Sequence, residues 1–427
     1  MVLAAATALP LTSVAAVPKS VQSPVLRIDK SRIDRALQSM VTDGRAAGAS
    51  ALVWRDGKEV YFGTAGFADS EAKRPFRRDT LVQIWSMTKP VTGVALMQLW
   101  EQGKFRLDDP LSDYLSEFGQ TKVFAGTDAA GNPILRPPHR PILVRDIMRH
   151  TAGFGEGAPG SYPQKMFDAA DPLNFDNDLT EFGRRLATVP LFYEPGTKWH
   201  YSAAVDVQAL LVEKLSGQPF EEYVKQHIFA PLAMKDTAWT QPEERYARLA
   251  AVYVKGPDGK LQRKSEADIR RGNFAPRKLT RGGAGLVSSL DDYMRFARML
   301  LNGGTIDGVR ILSPAGVETL LAQTWRFDGS NGATEGGFYC SAGNGSHQIP
   351  NKVPGCADDM GTRGATFVGH AGDAYNMKSG LWIDRSRGRG IAYFVTGVAD
   401  PAPKAADSAY SAAEVHAFRR TYALLRR

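Results

Sequence analysis

Strand-like segments lie near both ends of this chain, and helix-like segments fill the part between them. Near the start, residues 49–55 and 59–63 are β-rich and flank Asp56-Gly57, a dipeptide that strongly favours a β-hairpin. Near the end, residues 380–383 and 390–398 predict two further strands around a polar turn. We therefore predict an α+β fold, in which helices flank one antiparallel sheet built from both ends and the middle forms an inserted, mostly helical lobe.

Apolar residues recur with helical spacing in several segments. The helices that this spacing predicts cover residues 29–44, 86–102, 179–188, 203–216, 291–301 and 408–425. Residues 120–178 show little periodicity and are rich in Gly, Pro and Asp. A loop of that length inside a compact protein is usually functional or an insertion, so we predict an irregular segment there.

The composition is that of a globular protein with a sizeable core. Of the 427 residues, 43% are hydrophobic and 23% are charged, which excludes a disordered chain, a coiled coil and a fibre. No uninterrupted apolar run approaches the length of about 18 residues that spans a membrane. The net charge of +8 is scattered, and the longest basic runs are pairs such as Arg77-Arg78. We therefore expect neither a membrane span nor a nucleic-acid partner.

Two features bear on the compartment. Residues 1–24 begin apolar and uncharged as far as Lys19, and Val14-Ala15-Ala16 fits a signal-peptidase site, although the basic start of a signal peptide is missing. A trimmed leader and a flexible tail both fit this segment. Cys340 and Cys356 would form a disulfide in an exported protein and stay thiols in the cytosol. We predict a periplasmic or secreted protein, with a cytoplasmic one as the alternative.

Several common site motifs are absent or out of context. Residues 155–160 match GxGxxG, but no predicted strand precedes them and no helix follows, so we interpret them as a loop. The seven histidines are scattered, and neither HExxH nor CxxC occurs, so we expect no metal and no other cofactor. The absence of GxSxG argues against an α/β-hydrolase.

The pattern SxxK occurs twice. Ser70 and Lys73 lie in a polar stretch that reads as solvated surface, whereas Ser86 and Lys89 open a strongly apolar helix. Residues three apart share one helix face, so a neutral Lys89 could take the proton of the Ser86 hydroxyl. Burial favours the neutral form of a lysine. A serine helix cap with a lysine beside it explains the same segment equally well.

Two further segments add possible partners. Tyr201 precedes a predicted helix and could transfer a proton opposite the serine, although an aromatic residue there more often serves packing. Residues 369–373 are small and lead into the C-terminal strand pair, where a substrate could lie against a strand edge. Taken alone, they are a Gly-rich turn.

Together these motifs resemble the serine hydrolases of the β-lactamase/penicillin-binding fold, closest to the class C branch and its family VIII carboxylesterases. The three motifs of that family occur in order as Ser86-Met87-Thr88-Lys89, Tyr201-Ser202-Ala203 and His370-Ala371-Gly372. Three further segments also resemble the family, at residues 107–111, 147–153 and 282–288. The resemblance covers about residues 30–425. It implies a β-lactamase/transpeptidase-like fold with an α/β lobe of residues 25–85 and 281–427. The helical lobe would cover residues 86–280, with the active site between the lobes.

The resemblance also implies a mechanism without a cofactor. Ser86 would attack a carbonyl, Lys89 and Tyr201 would share the proton transfers, and the backbone N–H groups of Ser86 and Asp373 would form the oxyanion hole. The residues implied in substrate binding are Trp85, Ala203, His370, Ala371 and Gly372.

Two departures from the family pattern indicate the substrate. Ala203 stands where β-lactamases and DD-peptidases carry Asn, and His370 stands where they carry Lys. Those groups normally hold an amide and a carboxylate, so their loss favours a carboxylesterase for short acyl esters, with at most weak β-lactamase activity. The alternatives are a DD-peptidase or β-lactamase on the same fold and a catalytically silent binding or sensor module.

Overall fold

An antiparallel sheet runs through the centre of the fold. The computed structural model describes residues 29–155, 160–258, 260–332, 341–349 and 366–399. Within this part of the chain, nine strands form the main sheet in the order β12-β13-β14-β15-β16-β17-β1-β2-β3. The described strands are β1 Gly48–Arg55, β2 Lys58–Asp69, β3 Arg74–Pro75, β4 Val82–Gln83, β5 Val123–Thr127, β6 Pro133–Arg136, β7 Tyr253–Lys255, β8 Leu261–Arg263, β9 Val287–Ser288, β10 Thr305–Ile306, β11 Val309–Arg310, β12 Gln323–Arg326, β13 Ser341–Gly343, β14 His347–Ile349, β15 Phe367–Ala374, β16 Met377–Asp384 and β17 Arg389–Thr396.

The two ends of the chain meet inside this sheet. β1 pairs with β2 through the predicted hairpin, in which Asp56 and Gly57 both have positive φ angles, of 49° and 79°. On its other side β1 pairs with β17 over its full length, from Gly48 opposite Thr396 to Arg55 opposite Arg389. The predicted α+β fold with a sheet built from both ends is therefore confirmed.

Helices cover both faces of the sheet. They are α1 Lys30–Thr42, α2 Thr88–Glu101, α3 Val144–Met148, α4 Tyr162–Ala170, α5 Leu179–Leu186, α6 Ala204–Ser216, α7 Phe220–Val224, α8 Glu266–Asn273, α9 Leu290–Leu301 and α10 Pro314–Leu321. On one face, the apolar stripe of α1 with Ile33, Leu37 and Met40 packs on the sheet. On the other face lies the main core, where α2 packs against α6 and is buried on nearly all sides. An apolar helix of this kind belongs in the interior, and the candidate nucleophile Ser86 lies in the short turn directly before α2.

Three predictions differ from the structure in detail. Residues 120–178 are not one irregular segment, because they include the hairpin β5–β6 and the helices α3 and α4. These elements are too short to show a period. Residues 369–373 are not a turn but part of β15, whose glycines hide its strand character from sequence propensity. α2 starts at Thr88, and a short 3₁₀ turn, Trp85–Met87, precedes it.

Some predictions fall outside the described residues. These are the leader, the helix at 408–425, the pair Cys340 and Cys356, and most of the GxGxxG segment. The division into lobes at residues 85 and 281 stays a prediction. Among the helices that the structure describes, none is long and apolar enough to cross a membrane.

Candidate active site

The candidate nucleophile Ser86 lies in a tightly held turn between β4 and α2. The backbone N–H of Ile84 donates to the carbonyl of Leu286 at 2.9 Å, and the Thr88 hydroxyl donates to the carbonyl of Trp85 at 2.7 Å. Trp85 has a φ of +48°, a left-handed conformation that a bulky side chain rarely adopts. Such backbone persists only where the surroundings fix it, so the position of the Ser86 hydroxyl is well determined.

The three residues predicted to share the chemistry lie in contact. The Lys89 Nζ lies 3.1 Å from the Ser86 Oγ, and the Tyr201 hydroxyl lies 2.8 Å from the same atom. Lys89 is only 5% exposed. One turn of helix brings Lys89 to Ser86, whereas Tyr201 comes from the loop before α6. The serine hydroxyl therefore has two groups within hydrogen-bond reach that can exchange a proton with it.

Aromatic rings hold Tyr201 in place. The ring of His150 stacks on Tyr201 with centroids 4.8 Å apart and planes 19° from parallel. The His150 Nδ1 accepts a hydrogen bond from the Ser202 backbone N–H at 3.2 Å. The Lys89 Nζ lies 4.6 Å from the centre of the Tyr201 ring, a distance at which a cation is attracted to the ring face. His150 lies in the segment 147–153 that resembles the family, but the sequence did not predict a role for it.

A buried carboxylate that the sequence analysis missed lies behind Lys89. The Lys89 Nζ donates to the carbonyl of Gly283 at 2.7 Å, and the Gly283 N–H donates to Asp206 Oδ1 at 3.1 Å. Asp206 is 1% exposed and forms an ion pair with Arg281 at 3.0 Å. Asp206 thus fixes the loop whose carbonyl orients the lysine. An acidic residue inside the apolar sequence of α6 is the feature from which its role could have been predicted.

The third motif lies against the nucleophile turn. A Cβ atom on Gly372 would lie 2.2 Å from the Ile84 carbonyl oxygen, so only glycine lets β15 come this close. Across the sheet, the Ser379 hydroxyl donates to the same oxygen at 3.1 Å. Among the described residues, the pairing of β14 with β15 ends at Gly369, which leaves the following edge of β15 beside Ser86. The Asp373 side chain is exposed and forms an ion pair with the buried Lys378.

His370 is buried and neutral. It is 1% exposed, its Nδ1 lies 2.6 Å from the Ala371 carbonyl oxygen, and burial with the nearby charge of Lys89 lowers its pKa to about 3. Burial is also the main cause that holds the pKa values of His150 and His347 well below the ordinary range, followed by Lys89 for His150 and by His370 for His347. Three of the seven histidines thus lie near Lys89 as buried, uncharged rings. In the described part of the chain, no group of three His, Cys, Asp or Glu side chains could hold a metal ion.

Two of the predicted substrate-binding residues have side chains that pack in the core. Ala203 is 2% exposed and lies in the main core at the start of α6. The Ala371 methyl group packs on the opposite face of the sheet with the α1 cluster. Trp85, in contrast, lines a cavity beside the nucleophile turn. The second SxxK pair, Ser70 and Lys73, lies in the turn between β2 and β3, where Lys73 is exposed as predicted.

Comparisons with known proteins show which family and fold the chain is similar to. The family model described as Beta-lactamase matches residues 33–416. Protein Rv1367c of Mycobacterium tuberculosis is 34% identical over 287 residues, which cover 67% of this chain and 70% of that protein. Esterase EstB of Burkholderia gladioli is 33% identical over 284 residues, which cover 62% of this chain and 68% of the esterase. The structure of EstCE1, a hydrolase with promiscuous acyltransferase activity, matches with a TM-score of 0.67 over 92% of this chain and 98% of its own, at 21% identity, which shows a shared fold.

Proposed function

Because the chain belongs to the beta-lactamase family and is a serine hydrolase of that superfamily, we propose that it is a carboxylesterase for short acyl esters, acting through an acyl-enzyme at Ser86. The observation that supports this most is the contact of the Ser86 hydroxyl with both Lys89 and Tyr201, at 3.1 and 2.8 Å. Esterase EstB, a relative at 33% identity, supports an ester rather than an amide as substrate.

Acylation begins with removal of the Ser86 proton. Lys89 in its neutral form would accept this proton, since its Nζ lies 3.1 Å from the Ser86 Oγ and is oriented by its hydrogen bond to the Gly283 carbonyl. The Oγ then attacks the ester carbonyl, and the C–O bond to the alcohol breaks. Tyr201 donates a proton to the departing alcohol oxygen and regains one from Lys89. The products of this half are the acyl-serine and the free alcohol.

Deacylation runs the same transfers in reverse. A water molecule takes the place of the alcohol, and Tyr201 with Lys89 accepts its proton as it attacks the acyl carbon. The bond to the Ser86 Oγ breaks, and the proton returns to the serine. The carboxylic acid leaves, and the enzyme is restored.

The backbone N–H groups of Ser86 and Asp373 are proposed to stabilise the negative oxygen of both tetrahedral intermediates. The N–H of Ser86 lies at the start of a helical turn, where it has no intrahelical acceptor. Asp373 follows Gly372 on the strand that lies against the turn. Donors placed in advance at such an oxygen typically supply a factor of about 10²–10³ in rate.

The preference for esters over β-lactams rests on what surrounds the triad. Position 203 offers a buried methyl group, and position 370 offers a neutral ring where relatives that act on β-lactams carry an amide and an ammonium group. An amide or carboxylate of a β-lactam would lose water there without a partner, at a cost of about 1–3 kcal/mol for each group. A simple ester needs neither contact.

The test uses p-nitrophenyl butyrate, nitrocefin and a fluorophosphonate probe. We expect hydrolysis of the ester, labelling on Ser86, and loss of both in Ser86→Ala. Ser70→Ala is the matched control, because Ser70 also precedes a lysine by three residues and should change neither readout. Lys89→Ala and Tyr201→Phe should each lower kcat by about 10²–10⁴-fold. Label on Ser70, or turnover by Ser86→Ala, would contradict the assignment. A protein that is never labelled would be a silent binding module instead.

A further inference from the structure

A cavity of about 420 Å³ opens directly beside the nucleophile turn. Trp85, the residue before Ser86, forms part of one wall, and Tyr375 from the β15–β16 turn packs against it with ring centroids 4.9 Å apart. Phe175 adds a third aromatic ring. A substrate whose carbonyl is held at Ser86 can therefore extend one of its ends into the cavity, along these aromatic rings.

Two cations of this cavity, Arg277 and Lys264, form no salt bridge with a carboxylate among the described residues. Besides the hydrogen bond from Ser265, however, the charge of Lys264 contributes to lowering the pKa of Asp268. Arg277 donates through its Nε to a backbone carbonyl at 3.2 Å, and its guanidinium lies 4.4 Å from the centre of the Phe175 ring. The Lys264 Nζ lies 4.3 Å from the centre of the Tyr375 ring. Both side chains line the cavity and are only partly exposed.

The other two charged side chains that line the cavity, Arg271 and Asp268, neutralise each other. Arg271 forms an ion pair with Asp268 at 3.2 Å, and Asp268 also accepts a hydrogen bond from Ser265. Burial and the charge of Arg281 lower the pKa of Arg277, and no acidic group opposes them. The cavity therefore keeps an excess of positive charge next to apolar walls, a combination that suits an anion carried on an apolar spacer.

We propose that this cavity binds a carboxylate at the far end of the ester substrate, held by Arg277 and Lys264, so that the preferred substrates are esters with a free acid group. This inference rests on the proposed esterase function. The guanidinium fork can pair with both carboxylate oxygens, and the ammonium adds a second charge. The aromatic rings contact the spacer between the acid and the ester. The acid can belong to the acyl part or to the alcohol part, because either can extend past Trp85.

The experiment compares each acid with its methyl ester. The acyl arm uses mono-p-nitrophenyl adipate against p-nitrophenyl methyl adipate, and the alcohol arm uses 4-acetoxybenzoate against methyl 4-acetoxybenzoate. In one arm or both, Arg277→Gln and Lys264→Gln should each lower kcat/KM for the acid by about 10- to 100-fold. Both variants should leave the neutral ester within about twofold. The matched control is Lys278→Gln, which removes an exposed charge next to Arg277 outside the cavity and should change neither substrate.

Binding gives a second readout that does not need turnover. In Ser86→Ala, calorimetry should show that monomethyl adipate binds more tightly than dimethyl adipate, and Arg277→Gln in the same background should abolish the difference. One outcome is that neutral esters are hydrolysed while the ratio of kcat/KM for the acid to kcat/KM for its methyl ester is the same in the wild type and both variants. That result would refute the carboxylate site and leave the esterase function standing. If no ester is hydrolysed but the acid still binds through Arg277, the esterase function is wrong and the site stands. Equal binding of acid and diester in Ser86→Ala would overturn the site in either case.

Discussion

Replacing Asp206 with asparagine tests how Lys89 is held in place. Asp206 accepts from the Gly283 N–H at 3.1 Å and pairs with Arg281 at 3.0 Å, and the Gly283 carbonyl accepts from Lys89 at 2.7 Å. Asparagine has nearly the same shape and keeps one acceptor. It removes the charge, however, and turns two N–H donors toward a site already filled with donors. The loop is therefore expected to lose its anchor and Lys89 its orientation.

The magnitude follows from the burial of the pair. Asp206 is 1% exposed and the Arg281 side chain is 28% exposed. At 3.0 Å the attraction is about 5 kcal/mol with an effective dielectric constant of ~20. Desolvation of the buried carboxylate offsets part of this, so Asp206→Asn should lower the free energy of unfolding by about 2–3 kcal/mol. Because proton transfer typically contributes 10²–10⁴-fold, a misplaced base should lower kcat by about 10- to 100-fold with little change in KM.

The assay combines urea unfolding with p-nitrophenyl butyrate kinetics at pH 8. Asp292→Asn is the matched control, because Asp292 is also a buried carboxylate in the first turn of a helix, α9. Its partners are the Asp236 N–H and the Thr237 hydroxyl, and burial raises its pKa to about 6. Neutralising it should leave kcat unchanged and cost the fold little. If Asp206→Asn keeps the wild-type kcat, Asp206 does not position Lys89. The same conclusion follows if kcat and KM change by the same factor.

Three further outcomes are expected. Gly372→Ala puts a Cβ atom 2.2 Å from the Ile84 oxygen and should lower kcat by about 10²–10³-fold as the oxyanion donors separate. Ser379→Ala only removes a hydroxyl and should cost less than about tenfold, so equal rates for the two variants would refute the steric argument. The pKa of His370 is about 3 in the native state. Because an unfolded histidine titrates near pH ~6.5, the unfolded state binds more protons than the native state below that pH. Acidification should therefore lower the free energy of unfolding, with His370 contributing up to about 1.4 kcal/mol per pH unit. Urea midpoints from pH 7.5 to 5 measure this slope, which should be shallower in His370→Gln. The wild-type kcat/KM for nitrocefin should be at least about tenfold lower than that for p-nitrophenyl butyrate. The double variant Ala203→Asn with His370→Lys should reduce this difference in kcat/KM. Equal wild-type values for the two substrates would contradict this account of specificity.

Long elements with a clear period could be predicted from the sequence. The stripe of Ile33, Leu37 and Met40 gave α1, and the dipeptide Asp56-Gly57 gave the first hairpin. Short elements could not be predicted in the same way. α3 has five residues, and β15 contains Gly369 and Gly372, so neither has a period or a propensity that stands out from its surroundings. Tertiary contacts decide the structure of such segments.

The contact of Ser86 with Lys89 follows from helical spacing alone, and the approach of Tyr201 was expected only from the family resemblance. The surroundings of this triad could not be predicted from either. Asp206 is an acidic residue in an apolar helix, and His150 is one of seven separated histidines. Their placement depends on how distant loops pack, for which a single sequence has no local pattern. The same holds for the cavity proposed to bind a carboxylate, since Lys264 and Arg277 come from segments that precede and follow α8.

Two glycines explain how the separate segments can meet at Ser86. A Cβ atom on Gly283 would lie 3.1 Å from Asp206 Oδ2, so a side chain there would press on the buried carboxylate. Gly372 plays the same part between β15 and the nucleophile turn. In a sequence, glycine is first taken as a sign of a turn. Gly372 lies in a strand, and it is required because β15 must approach the nucleophile turn closely. Backbone groups, rather than side chains, thereby come next to the turn that carries Ser86.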